Sequence, residues 1–267
     1  MPHSPLKDFS RLAALLVAVC ASACTREAAT NDANVTEVSE PKTTNQVAES
    51  PLPDLPLDRQ GLLIAMIQAS SAAILGAEDA KRQEALKGRR FEIRMRFGCP
   101  GAPGAIERRW NHDKASDALR VSVRPDIDHE VEGAPGDGEA EQPAVHERGF
   151  LITNPTLLSS GCPSTDYAAA SAANHLRFGI VQRTDPEGAR ARQLLESYEV
   201  TKKIAPEGVP AEGLDLVVRG RLETSGAGPI RCAPRGGMVE CLAHSTIELV
   251  SIEDPASGRL IAEWGHH

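Results

Sequence analysis

Arg90-Phe91-Glu92-Ile93-Arg94-Met95-Arg96-Phe97 alternates apolar and charged residues without a break. A period of two places Phe91, Ile93, Met95 and Phe97 on one side of an extended chain and the charges on the other, as in a strand with one face in a core and one in water. Shorter alternations recur with Leu119, Val121 and Val123, with Phe150 and Ile152, with Leu176, Phe178 and Ile180, with Leu214, Leu216 and Val218, and with Ile247, Leu249 and Ile252. Leu260 to Trp264 reads as a last strand after the Asp254-Pro255-Ala256-Ser257-Gly258 turn. Half-buried strands joined by turns predict a mostly antiparallel sheet with one side covered.

The cover is expected upstream. From Asp58 to Lys87, Leu63, Met66, Ile67, Ile74 and Leu75 recur at helical spacing, Asp58 is placed to cap the start and Gly88 to stop the run. Ser70, Ser71 and Gly76 allow a break, so one helix or two are expected, acting as a lid on the core. The fold class is therefore α+β: an N-terminal helix or pair of helices packed on a mostly antiparallel sheet. Between the strands, residues 125–147 gather Asp126, Asp128, Glu130, Glu132, Asp137, Glu139, Glu141 and Glu147 among Gly, Pro and Ala, and read as a solvated acidic loop.

Downstream, a two-residue turn at Gly236-Gly237 pairs Arg235 with Met238, Pro234 with Val239, Ala233 with Glu240 and Cys232 with Cys241. In that register Pro234 loses no ladder hydrogen bond, and the two thiols occupy a closely spaced pair suited to a disulfide. Elimination then joins Cys99 to Cys162, which share a Gly-Cys-Pro context at the ends of apolar segments.

The beginning of the chain says where such cysteines live. Lys7 and Arg11 precede an apolar run from Leu12 to Val19, followed by Ala21-Ser22-Ala23-Cys24. Basic start, short apolar middle and small residues make a secretory leader, with an apolar run well short of the roughly 20 residues that span a bilayer. With its Cys directly after small residues, this stretch resembles the bacterial lipoprotein precursors. The resemblance covers residues 1–24 and implies cleavage after Ala23 and acylation of Cys24. Ala21 stands where that class prefers Leu or Val. Ala21-Ser22-Ala23 also fits an ordinary Ala-x-Ala cut, so a simply secreted soluble protein is the alternative. Loss of Cys20 with the leader and acylation of Cys24, otherwise an odd thiol, leave the four cysteines already paired. Thr25 to Pro56 then reads as a 32-residue tether without periodicity, with a coil reach of roughly 30 Å. The expected division is a leader at 1–23, acylated Cys24 and tether at 24–56, and a single α+β domain at 57–267. Thr25, rather than Asp, after the acylated Cys implies sorting to the outer membrane, facing the periplasm.

Composition narrows the partners. Loss of the leader removes two positive charges and one negative, taking the formal net charge from -8 to -9, which argues against nucleic acid. Aromatic residues at 3% leave little for stacking sugars. No catalytic motif, metal-binding pattern or cofactor fingerprint is legible. Residues 125–147 fail the calcium-loop pattern, His129, His146, His175, His244, His266 and His267 lack metal-ligand spacing, and Ser225 lacks an elbow motif. The glycines at 98, 101 and 104 are turn residues rather than a phosphate loop. A binding or structural role is expected, with an envelope hydrolase as the alternative; that enzyme would need a Ser or Asp converging with one of the histidines. One ligand site is suggested: Arg94 and Arg96 on one strand with Arg120 and Arg124 on another, brought together by antiparallel pairing to grip an anionic envelope component. The competing role for these arginines is cross-strand pairing with acids such as Glu92.

Overall fold

The computed structural model describes residues 55–77, 79–100, 106–131, 145–164, 176–184, 197–224, 226 and 228–265. The leader, Cys24 and nearly all of the tether lie outside the described residues, as do His175, His266, His267, Ser225 and the acidic run after Val131 up to residue 144. Two helices open the described chain, α1 (Arg59–Leu75) and α2 (Ala80–Leu86). The Asp58 carboxylate accepts from the Gly61 amide at 2.8 Å, and Gly76 ends α1 in the left-handed conformation at φ 62°.

Strand dominates the rest. The large sheet contains β1 (Arg90–Phe97), β4 (Ile127–Val131), β5 (Val145–Leu151), β6 (Leu176–Thr184), β8 (Leu214–Leu222), β9 (Ile230–Arg235), β10 (Met238–Asp254) and β11 (Arg259–Gly265). The smaller sheet contains β2 (Arg108–Asp113), β3 (Ala118–Val123) and β7 (Tyr198–Lys203) in the order β2-β3-β7. The large sheet runs β1-β8-β10-β6-β5-β4, with β9 and β11 also paired to β10. Among the described residues the molecule is thus more β-rich than an α+β expectation, with two helices and two disulfides. Their strands all pair antiparallel except β6 with β10, which is parallel, as is the isolated bridge of Leu57 to Phe91.

The alternation in β1 is realised. Phe91, Ile93, Met95 and Phe97 are buried and face Leu62, Leu63 and Met66 of α1 together with Leu214, Leu216 and Val218 of β8 in one core. Leu119, Val121 and Val123 of the small sheet join the same core, so both sheets turn their apolar sides to it. A second, smaller cluster of Ile127, Val181 and Leu242 lies apart from it.

Three expectations are corrected. Ile67, Ile74 and Leu75 do not join the core face of α1: they are 40%, 64% and 79% exposed, because the apolar arc of this helix is wider than the side the sheets can cover. The acidic segment is not one loop, since it contributes β4 and the first residues of β5, paired Ile127 to Gly149 and Val131 to Val145. Finally, β1 pairs with β8, whereas β3 pairs with β2 and β7. The arginine pairing suggested by the sequence therefore does not occur.

The hairpin forms in the expected register, with Gly236 and Gly237 at φ 59° and 80°. Cys232 and Cys241 are bonded with Cα atoms 4.0 Å apart, the close approach of a pair without mutual hydrogen bonds. Cys99 and Cys162 form the second bond, with Cα atoms 5.7 Å apart, fastening the end of β1 to the segment after β5. Ahead of it, Gly98 adopts φ 66°, and a Cβ there would come within 2.2 Å of the Trp110 ring nitrogen. Among the described residues no helix is long and apolar enough to cross a membrane.

Candidate functional site

Beyond Arg90, which is exposed at its start, the outward face of β1 is neutralised from within. Arg94 meets Glu92 at 3.0 Å and Glu253 at 2.7 Å, while Arg219 meets Glu92 at 2.9 Å and Glu253 at 3.6 Å. Two guanidiniums and two carboxylates close a ring across β1, β8 and β10. Partial burial raises the carboxyl of Glu92, yet the Arg219 and Arg94 hydrogen bonds and charges prevail and hold it below the usual range. Arg96 is bound to Asp215 at 2.6 Å, with both side chains nearly buried. Arg94 and Arg96 are thus already paired with acids.

Beside the ring, Arg59 reaches from the first turn of α1 to four backbone carbonyls: Leu157 at 3.0 Å, Arg94 at 3.2 Å, Thr153 at 2.6 Å and Asn154 at 3.0 Å. Burial lowers its pKa to about 10, so the cation persists at neutral pH and pins the segment after β5 against α1. Asp58, Gln60, Glu92, Arg94 and Ser160 line the cleft around it. Its cations are engaged by protein, so this cleft is a structural joint.

The outward face of the small sheet differs. Register sets Arg109, Ser122 and Glu199 in one row across β2, β3 and β7, and Asn111, Arg120 and Thr201 in the next. These six residues wall a depression along the sheet. Arg109 and Arg120 are exposed, and among the described residues neither guanidinium has a hydrogen-bond or ion-pair partner. Nearby Asp113 accepts from Ser116 and the Ala115 amide and also feels the Arg120 charge, while Glu199 accepts from Ser122 at 3.4 Å. Arg124 stands 3.9 Å from Glu199, with both side chains mostly exposed, an arrangement of little strength. Of the four arginines singled out in the sequence, then, Arg120 and Arg124 share a sheet with each other but not with Arg94 and Arg96. Arg109, Asn111 and Thr201 were missed because β2 and β7 carry too few apolar residues to show a period. The available signal was Trp110 and His112 alternating with Arg109 and Asn111.

Arg108 points the other way. Fully buried, it binds Asp126 at 2.5 Å and the Leu151 carbonyl at 2.7 Å, and lies 5.9 Å from the centre of the Phe150 ring. It ties the small sheet to the large one. Burial moves both partners toward their neutral forms, lowering Arg108 and raising Asp126, against their mutual attraction.

Among the described residues the histidines do not assemble a reactive centre. His244 is buried, its Nδ1 stands 3.5 Å from Glu147 Oε1, and Glu147 also accepts from Arg183 at 3.0 Å. Burial first, then Arg231 and Arg183, lower the His244 pKa to about 3, which keeps the imidazole neutral. The neighbouring Ser245 hydroxyl donates to the Val181 carbonyl at 3.2 Å. His129 lies 2.9 Å from Arg235, and His146 comes only to 4.0 Å from an exposed Asp128. Among the described residues no group of acids, cysteines and histidines is arranged to hold a metal ion. No family model, no curated protein and no solved structure matches the chain.

Proposed function

We propose that this protein is an exported lipoprotein, fixed to a membrane through acylated Cys24, whose folded body binds an anionic envelope component on the outward face of the small sheet. In this reading residues 1–23 are removed, 24–56 form the tether, and 57–267 are one α+β body held at the outer membrane on its periplasmic side. Two disulfides support a location outside the reducing cytosol. The leader ending at Cys24 supports the anchor.

One observation carries the binding role. Arg109 and Arg120, on adjacent strands, present exposed guanidiniums without an ion pair among the described residues, beside the amide of Asn111 and the hydroxyls of Ser122 and Thr201, with Glu199 at the far end of the Arg109 row. Guanidinium forks match carboxylate and phosphate oxygens, the groups of cell-wall polymers and lipid head groups. No arrangement among the described residues favours the hydrolase alternative.

Two measurements test this. Mass spectrometry of membrane-extracted protein should show an acylated N-terminal Cys24; an uncut leader defeats the anchor. Sedimentation with purified cell wall, and separately with anionic vesicles, should show binding to one of them that falls about tenfold in an Arg109→Ala, Arg120→Ala double variant. The Arg94→Ala, Arg96→Ala variant should bind like the parent. Absence of binding in the parent, or equal loss in both variants, defeats the assigned face.

A further inference from the structure

We infer that the outward side of α1 is a membrane-docking face, seated on the same bilayer that holds Cys24; this rests on the lipoprotein reading. α1 has 17 residues and a single charge, Arg59, which is buried on backbone carbonyls. Leu62, Leu63 and Met66 fill the core from one side, while Ile64, Ile67, Ile74 and Leu75 stand 40%, 40%, 64% and 79% exposed on the other. They follow helical spacing, with exposed Gln60, Gln68 and Ser71 among them, so the side is uncharged though not wholly apolar. A surface helix ordinarily puts charge on that side, and a contiguous apolar patch marks an interaction or membrane surface.

The entry of the chain selects the occupant. Leu57 donates to Arg90 O at 2.8 Å and accepts from Glu92 N at 2.9 Å, so the chain joins the body at a fixed point on β1, directly before α1. From there 32 tether residues lead back to Cys24. At a coil reach of roughly 30 Å the helix, itself about 25 Å long, is held near the bilayer at an effective concentration on the order of millimolar. Weak affinity then suffices. A face without charge enters the headgroup boundary with no ion to desolvate. A second copy of the chain fits poorly, because four partly exposed aliphatic side chains fall short of the roughly 800 Å² per partner of a stable dimer.

The acylated full-length chain in vesicles with brominated acyl chains provides the test, with Ile67→Trp as probe and the parent, carrying Trp110 and Trp264, as background. The added emission should fall at least twofold relative to unbrominated vesicles, and adding Ile74→Asp should restore it. Thermal unfolding of the probe variant should match the parent, since Ile67 is outside the core. Unquenched emission from protein that still floats with the vesicles overturns docking and leaves anchoring intact. Protein that lacks acyl chains and stays in solution overturns both. Dimerisation abolished by Ile74→Asp would assign the face to a second copy and overturn the membrane as occupant.

Discussion

The two sheets each turn arginines to water, but the large one pairs most of its arginines with acids, while the small one leaves two on adjacent strands without an ion pair. On the large sheet, Arg94, Arg96 and Arg219 lie within reach of Glu92, Glu253 and Asp215, and only Arg90 at the start of β1 is exposed without an acid among the described residues. On the small sheet, Arg109 and Arg120 sit in rows whose neighbours are Ser122, Glu199, Asn111 and Thr201, and neither guanidinium forms an ion pair among the described residues. Arginine count therefore says little about availability; the cross-strand register decides it.

The contrast sharpens at β2, where consecutive arginines are split between interior and surface. Asp126→Ala should leave Arg108 buried without its carboxylate and cost about 3–5 kcal/mol in chemical denaturation. A loss under 1 kcal/mol would mean that the two sheets are joined by apolar packing alone. Removing both cysteines of the Cys99–Cys162 pair should cost roughly 4 kcal/mol, and removing Cys232 and Cys241 nearly 3, since the first closes the longer loop. Equal or reversed losses would break that ordering.

A buried site away from both outward faces responds to acid. The folded His244 stays neutral down to about pH 3, whereas the unfolded imidazole takes a proton near its ordinary 6.5. Between these values the unfolded state binds more protons, so this group erodes stability as pH falls, by about 3 kcal/mol at pH 4. His244→Gln should flatten the stability profile between pH 6.5 and 4 while leaving other acid-sensitive contributions in place. An unchanged slope would show that the imidazole is solvated. The smallest effect belongs to the neutral ring: Glu253→Gln should cost about 1 kcal/mol, because the ring is partly exposed. It should also make Arg94 and Arg219 partly available, bringing that face closer to the small sheet in anion binding.

What could be read from the residues was what they settle locally. β1 shows itself because apolar and charged residues alternate through its whole length, and the Cys232–Cys241 hairpin because Gly236-Gly237 dictates its register. β2 hides because its inward positions hold Arg108, Trp110 and His112, and Arg108 is tolerated there only through Asp126 and the Leu151 carbonyl, both distant in sequence. Ile67, Ile74 and Leu75 mislead for a related reason: helical periodicity locates an apolar arc without saying how much of it another element covers. The partner of β1 was equally invisible. Its outward arginines were placed opposite β3, whereas the strand that reaches them is β8.

β10 pairs with β6, β8, β9 and β11, and β8 in turn is the partner of β1. Four strands of the large sheet thus meet at one late segment, residues 238–254. The sheet closes only once that hub has been made. On the proposed export route that ordering is advantageous, since β1 emerges long before β8 gives it an edge to join and the polypeptide stays threadable through a translocation pore until the hub arrives.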